Sequence, residues 1–156
     1  MEDNKTPSKK IIHGHLSSSS VYRTELNAGN HTIISDEPES VSGGNDEGPD
    51  PYDLLLMSLG SCTLMTIQMY ANRKSWQLGN MYIELRHHKT HAKDSENVVN
   101  PNSRIDFIEK EITIEGDLSQ EQLDKLLEIS KKCPVHRTLL SDVRFESRIE
   151  GSLTQD

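Results

Sequence analysis

Residues 50–74 read DPYDLLLMSLGSCTLMTIQMYANRK, and this stretch decides the fold. Asp50 is a residue type that accepts the unpaired N–H groups at a helix N-terminus, and Pro51 lacks the amide that would have no partner at the first helical position. A helix is predicted from Pro51 to about Lys74. Its first half is apolar on every side, through Leu54, Leu55, Leu56, Met57, Leu59, Cys62, Leu64 and Met65. A helix lying on a protein surface keeps a polar face. The expectation is therefore a central buried helix, enclosed by sheet and by the surface of another subunit. The nearly apolar run from Leu54 to Met65 is shorter than the roughly 20 residues needed to cross a bilayer, and Ser58, Gly60, Ser61 and Thr63 interrupt it. No membrane is expected.

Outward from this helix the pattern turns β-like. Upstream, Ile11 to Leu16, Val21 to Leu26 and His31 to Ser35 are short runs separated by the Ser17 to Ser20 tract and by Asn27-Ala28-Gly29-Asn30, which predicts an antiparallel meander. Asp36 to Pro51 is rich in acid, Gly and Pro and reads as a loop. Downstream, Met81, Ile83 and Leu85 alternate with polar neighbours, as do Ile112 and Ile114. Both segments read as strands with one buried face, joined through a polar loop from Lys89 to Ser103. Ser119 and Gln122 form a capping box for a second helix through Leu126, Leu127 and Ile129. Pro134 is predicted to stop that helix, leaving Cys133 at its exit. Val143, Phe145, Ser147 and Ile149 predict a last strand. The fold class is α+β, with residues 1–10 a polar mobile arm and 11–156 one domain.

Composition narrows the partners. Only 33% of the 156 residues are hydrophobic and 4% aromatic, a thin core for a monomer, which again points to burial between subunits. A net charge of −8 repels a phosphate backbone, and no basic cluster with stacking aromatics appears, so nucleic acid is not expected. Lys9 and Lys10 precede a short mixed stretch holding two histidines and a glycine, unlike a secretory signal. The expected location is cytoplasmic. There, two cysteines are normally kept reduced, so a transient reactive pair is a better reading than a structural disulfide, with inert burial as the alternative.

Cys62 lies about eleven positions into the helix, roughly 16 Å from its start, beyond reach of the helix dipole. Burial in apolar surroundings raises a thiol pKa, so a reactive Cys62 needs a cation from elsewhere. Arg23, the only arginine upstream of the helix, is a candidate. Gly60, Ser61 and Thr63 are small neighbours that would let a substrate or another chain approach the sulfur. Cys133 sits in Lys131-Lys132-Cys133-Pro134-Val135-His136-Arg137, a basic setting that favours the thiolate, with His136 a candidate partner and accessibility expected at a helix exit. His87, His88 and His91 cluster as well, but neighbouring strand residues point to opposite faces, so no metal site is expected.

HTIISDEPESVSGGNDEGPDPYDLLLMSLGSCTLMTIQMYANRKSW and KKCPVHRTL together resemble the OsmC/Ohr superfamily, in particular its OsmC-like branch. The resemblance covers roughly residues 20 to 150. It implies an intertwined homodimer with antiparallel sheets wrapped around the central helices. It also implies reduction of organic hydroperoxides through two cysteines, here Cys62 as the peroxidatic sulfur and Cys133 as the resolving one, restored by an external dithiol and without a cofactor. Active members of the family carry a glutamate at the start of the central helix and an arginine in a Gly-Arg-Asp-Gly-like turn. This chain has Tyr52 with Asp53 beside it, and Ala28-Gly29-Asn30-His31. Asp53, Arg23 and His31 are the candidate substitutes. The competing function is a non-catalytic dimeric module that holds a small hydrophobic ligand in the interface cleft; metal sequestration by the histidines is a distant third.

Overall fold

The computed structural model describes residues 10–91 and 104–151. The predicted arm, apart from Lys10, and most of the predicted polar loop lie outside the described residues. The chain divides into two compact units after Met57.

The N-terminal unit is built on an antiparallel sheet of β1 (His13–Leu16), β2 (Thr24–Ala28) and β3 (His31–Ser35), in that order. The meander is the one expected, but β2 starts three residues later than the sequence suggests. The Ser17 to Ser20 tract closes a turn through Ser20 N–H to the Ser17 carbonyl, and Ser20 Oγ then accepts from Arg23 N–H at 3.0 Å, so residues 21–23 are held out of the ladder. Ala28 pairs with His31, leaving Gly29-Asn30 as a two-residue hairpin loop in which Gly29 takes φ +61°.

The acidic, Gly-rich loop after β3 is ordered around one side chain. Asp36 is 2% exposed, and its carboxylate accepts from the backbone N–H groups of Glu37, Asn45 and Glu47 at 2.9, 3.1 and 3.3 Å. Backbone bonds from Val41 to Pro38 and from Asp46 to Glu37 complete the loop. It delivers the chain to Asp50, whose Oδ1 accepts from Asp53 N–H at 2.8 Å while Asp53 Oδ2 accepts from Asp50 N–H at 3.3 Å. This reciprocal cap starts the long helix α1 (Pro51–Lys74).

Within α1 the buried residues are Leu59, Gly60, Thr63, Ile67 and Ala71, a stripe along one side. Met57, Met65 and Met69 are exposed. The enclosure expected of the helix is thus met on one face only within a single chain. By length and composition α1 is apolar enough to cross a membrane, which corrects the sequence estimate from the shorter Leu54–Met65 run. The packed stripe makes it the core helix of this fold.

The C-terminal unit pairs β4 (Met81–His91) with β5 (Arg104–Ile114) as one antiparallel ladder, from Met81 opposite Ile114 to His91 opposite Arg104. β4 therefore continues through Lys89 to His91, where a loop was expected, because the ladder extends to His91 opposite Arg104. A Cβ on Gly60 would meet Leu85 Cδ1 at 3.0 Å and Ile83 Cγ2 at 3.6 Å. Gly60 is small where β4 lies against α1. Ser61 turns its hydroxyl to the Ser58 carbonyl.

α2 (Gln120–Ser130) starts at the expected capping box, with Ser119 Oγ accepting from Gln122 N–H and Gln122 Oε1 accepting from Ser119 N–H. It ends at Ser130, before the predicted stop. Pro134 instead opens a further short helix, α3 (Pro134–Leu139), because its fixed φ suits a first helical position. The strand expected from Val143 to Ile149 is absent. That segment has the alternation of a strand but pairs with no strand among the described residues, and Phe145 and Ile149 are 86% and 99% exposed.

Candidate functional site: two free thiols

Cys62 and Thr63 occupy successive positions of α1, with Thr63 on the buried stripe and Cys62 half-buried beside it. Cys133 is the N-cap of α3. Its backbone is extended (φ −61°, ψ 139°), as a residue before proline should be, and its Sγ accepts from His136 N–H at 3.3 Å. Thr63 Oγ1 donates to the same sulfur at 3.7 Å. Cys133 is fully buried, at 0% exposure, which reverses the expected accessibility. The sulfur is sealed because it caps a helix instead of trailing from one. Both cysteines are free thiols, and each acts on the ionisation of the other.

The surroundings separate the two thiols electrostatically. Burial raises the Cys62 pKa; Val135 N–H opposes this, but the hydrogen bond to Cys133 and that sulfur's charge raise it further. Burial also acts to raise Cys133, yet it is outweighed by the His136 N–H, Thr63, Cys62 and the charge of Lys110, so its pKa falls below the ordinary thiol value. Negative charge is therefore favoured on Cys133 over Cys62.

His136 contributes through its backbone. Burial, with the charges of Lys110 and Lys131, lowers its imidazole pKa and favours the neutral ring, so an imidazolium partner is not what this site supplies. Lys110 was missed by sequence reasoning. It lies on β5 opposite Leu85, and its Nζ donates to the Ser130 carbonyl at 3.0 Å, next to the segment that carries Cys133. The signal was present: Ile108, Lys110, Ile112 and Ile114 share the inward face of an alternating strand, and a lysine there is out of register with its chemistry.

The other candidates belong to the N-terminal unit. Arg23 Nε pairs with Glu47 Oε2 at 2.6 Å, both side chains about half-exposed. His31 begins β3 and is exposed, and Asp53 is the reciprocal cap of α1. In the histidine cluster, His87 Nε2 lies 2.8 Å from Asp106 Oδ1 and His88 packs on the Phe107 ring.

An α+β chain that folds a half-buried helical thiol against a buried capping thiol is a two-cysteine thiol protein. The sequence pattern of the family described as OsmC-like protein matches residues 43–148, which span both cysteines, and the chain belongs to that family. No curated protein gives a significant match. Among solved structures it is similar to an OsmC-like protein from Mycoplasma pneumoniae (21% identity, 86% of this chain and 89% of the other, TM-score 0.66). It is also similar to an osmotic stress induced and detoxification response protein from Psychrobacter arcticus (23%, 86% and 90%, 0.64). A third is an organic hydroperoxide resistance protein OsmC from Legionella pneumophila (16%, 86% and 91%, 0.61). At these identities the likeness is one of fold.

Proposed function

We propose that this protein reduces organic hydroperoxides with Cys62 and Cys133 as its redox pair. The observation that carries this reading is a half-buried and a fully buried thiol, both reduced, that act on each other's ionisation, with the charge favoured on the buried one. Membership of the OsmC-like family and the Legionella likeness support it. The accessible sulfur, Cys62, attacks the distal peroxide oxygen. Its proton passes to the Cys133 thiolate and on to the departing alkoxide, so that Cys62–SH and ROOH give Cys62–SOH and ROH. Cys133, again a thiolate, then attacks the sulfenic sulfur, giving the Cys62–Cys133 disulfide and hydroxide. An external dithiol restores both thiols in the cytoplasm.

The working form is a homodimer. Met57, Met65 and Met69 of α1 and the strand-like 143–149 segment are the apolar surfaces that a second copy would cover. Arg23, His31 and Asp53 remain candidates for tuning Cys62. A second reading, a non-catalytic module holding a small hydrophobic ligand in the dimer cleft, is favoured by Tyr52 at the family's glutamate position and by the engagement of Arg23 with Glu47. Anaerobic thiol titration before and after one equivalent of cumene hydroperoxide separates the two. Loss of both thiols selects the peroxidase; retention of both selects the binding module.

A further inference from the structure

A lysine on the apolar face of a strand is costly unless its ammonium reaches water or a partner. Lys110 faces inward between Ile108 and Ile112, while Glu109 and Glu111 on either side of it are exposed. Its register partner Leu85 is the residue that meets Gly60 of α1, two positions before Cys62. Its Nζ is fixed by the carbonyl of Ser130, itself fully buried, three positions before Cys133. No carboxylate among the described residues forms an ion pair with it. A half-buried cation is thus fixed to the segment that leads into Cys133, with no carboxylate in an ion pair with it among the described residues.

We infer that Lys110 is the electrostatic positioning residue of the thiol pair, the cation that holds the negative charge on Cys133 while Cys62 reacts. The inference rests on the redox reading of the pair but concerns ionisation, which is measured without turnover. Other charged or titratable groups share its surroundings: Cys62 on α1, Cys133 and Lys131 in the segment after α2, and His136 on α3. Burial lowers the Lys110 pKa, the Cys133 charge opposes that, Lys131 lowers it further and Cys62 raises it. Lys131 is exposed and follows α2, whereas Lys110 is the partly buried cation, so it acts through the lower dielectric.

The test is the pH titration of the Cβ resonance of each cysteine in the reduced full-length protein, a readout that needs no reagent to reach the buried sulfur. In Lys110→Met the Cys133 midpoint should rise, with a loss of thiolate at a given pH, and Lys110→Arg should restore most of it. A Cys133 profile identical in wild type and a folded Lys110→Met would overturn the inference. If Lys110→Met does not fold, wild-type protein decides: the Lys110 Cε resonance should titrate at lower pH once the thiols are joined as a disulfide. An unmoved resonance overturns the inference. Shifted thiol profiles in a protein that leaves hydroperoxide untouched would uphold Lys110 and defeat the peroxidase reading, so the two fail separately.

Discussion

Thr63 and Cys133, seventy residues apart, are both fully buried, and the threonine hydroxyl donates to the cysteine sulfur at 3.7 Å. This bond ties the middle of α1 to the cap of α3, and it acts on the same sulfur as the His136 N–H. Thr63→Val keeps the shape and removes the donor. It should raise the Cys133 midpoint in a titration of its Cβ resonance and cost about 1 kcal/mol in urea unfolding.

His136→Ala should behave differently from Thr63→Val. The N–H that reaches Cys133 is the backbone's, and it survives the substitution. The Cys133 Cβ resonance should keep its wild-type pH profile; a profile moved up by a full unit would mean that the imidazole takes part.

The two thiols should titrate on either side of the ordinary thiol value of about 8.5, Cys133 below it and Cys62 above. For Cys133 the folded value lies below the unfolded one, so its contribution to stability is present above the unfolded value and is lost as pH falls through the folded one. Cys62 has the opposite sign: its raised value costs stability as pH rises past the unfolded value. In Cys62→Ser only the first effect remains, so urea stability should rise with pH across this window more steeply than in wild type.

Asp36→Ala should be the most damaging change in the N-terminal unit. Three backbone N–H groups converge on one buried carboxylate, and leaving them unpaired should cost roughly 3 kcal/mol in urea unfolding. The effect should appear without any change in the pH titration of either cysteine.

Much of this was legible in the chain. Asp50-Pro51 marked the start of α1, Ser119 and Gln122 the start of α2, and the quoted motifs identified both cysteines. Three features were not. Pro134 was read as a stop because a proline ends one helix and starts another with equal ease, so the capping role of Cys133, and with it the burial of that sulfur, stayed hidden. Alternation from Val143 to Ile149 describes a strand that has an edge to join, and a pattern carries no information on whether that edge lies in the same chain. Lys110 was passed over because its importance comes from a cross-strand register with Leu85 and a bond to Ser130, neither of which is local in sequence.

A dimer remains the expectation that the exposed methionines of α1 and Phe145 place on this chain. Sedimentation at micromolar concentration should give one species of twice 17.6 kDa. A folded monomer there would remove the second subunit from the account.

The division of labour between the two sulfurs is tested most directly by sulfenate trapping with dimedone in the paired variants Cys62→Ser and Cys133→Ser. Treated with cumene hydroperoxide, Cys133→Ser should react once and stall with the label on Cys62, whereas Cys62→Ser should neither consume peroxide nor take up label. Label on Cys133 in the Cys62→Ser protein, or peroxide consumption by it at the wild-type rate, would contradict the account.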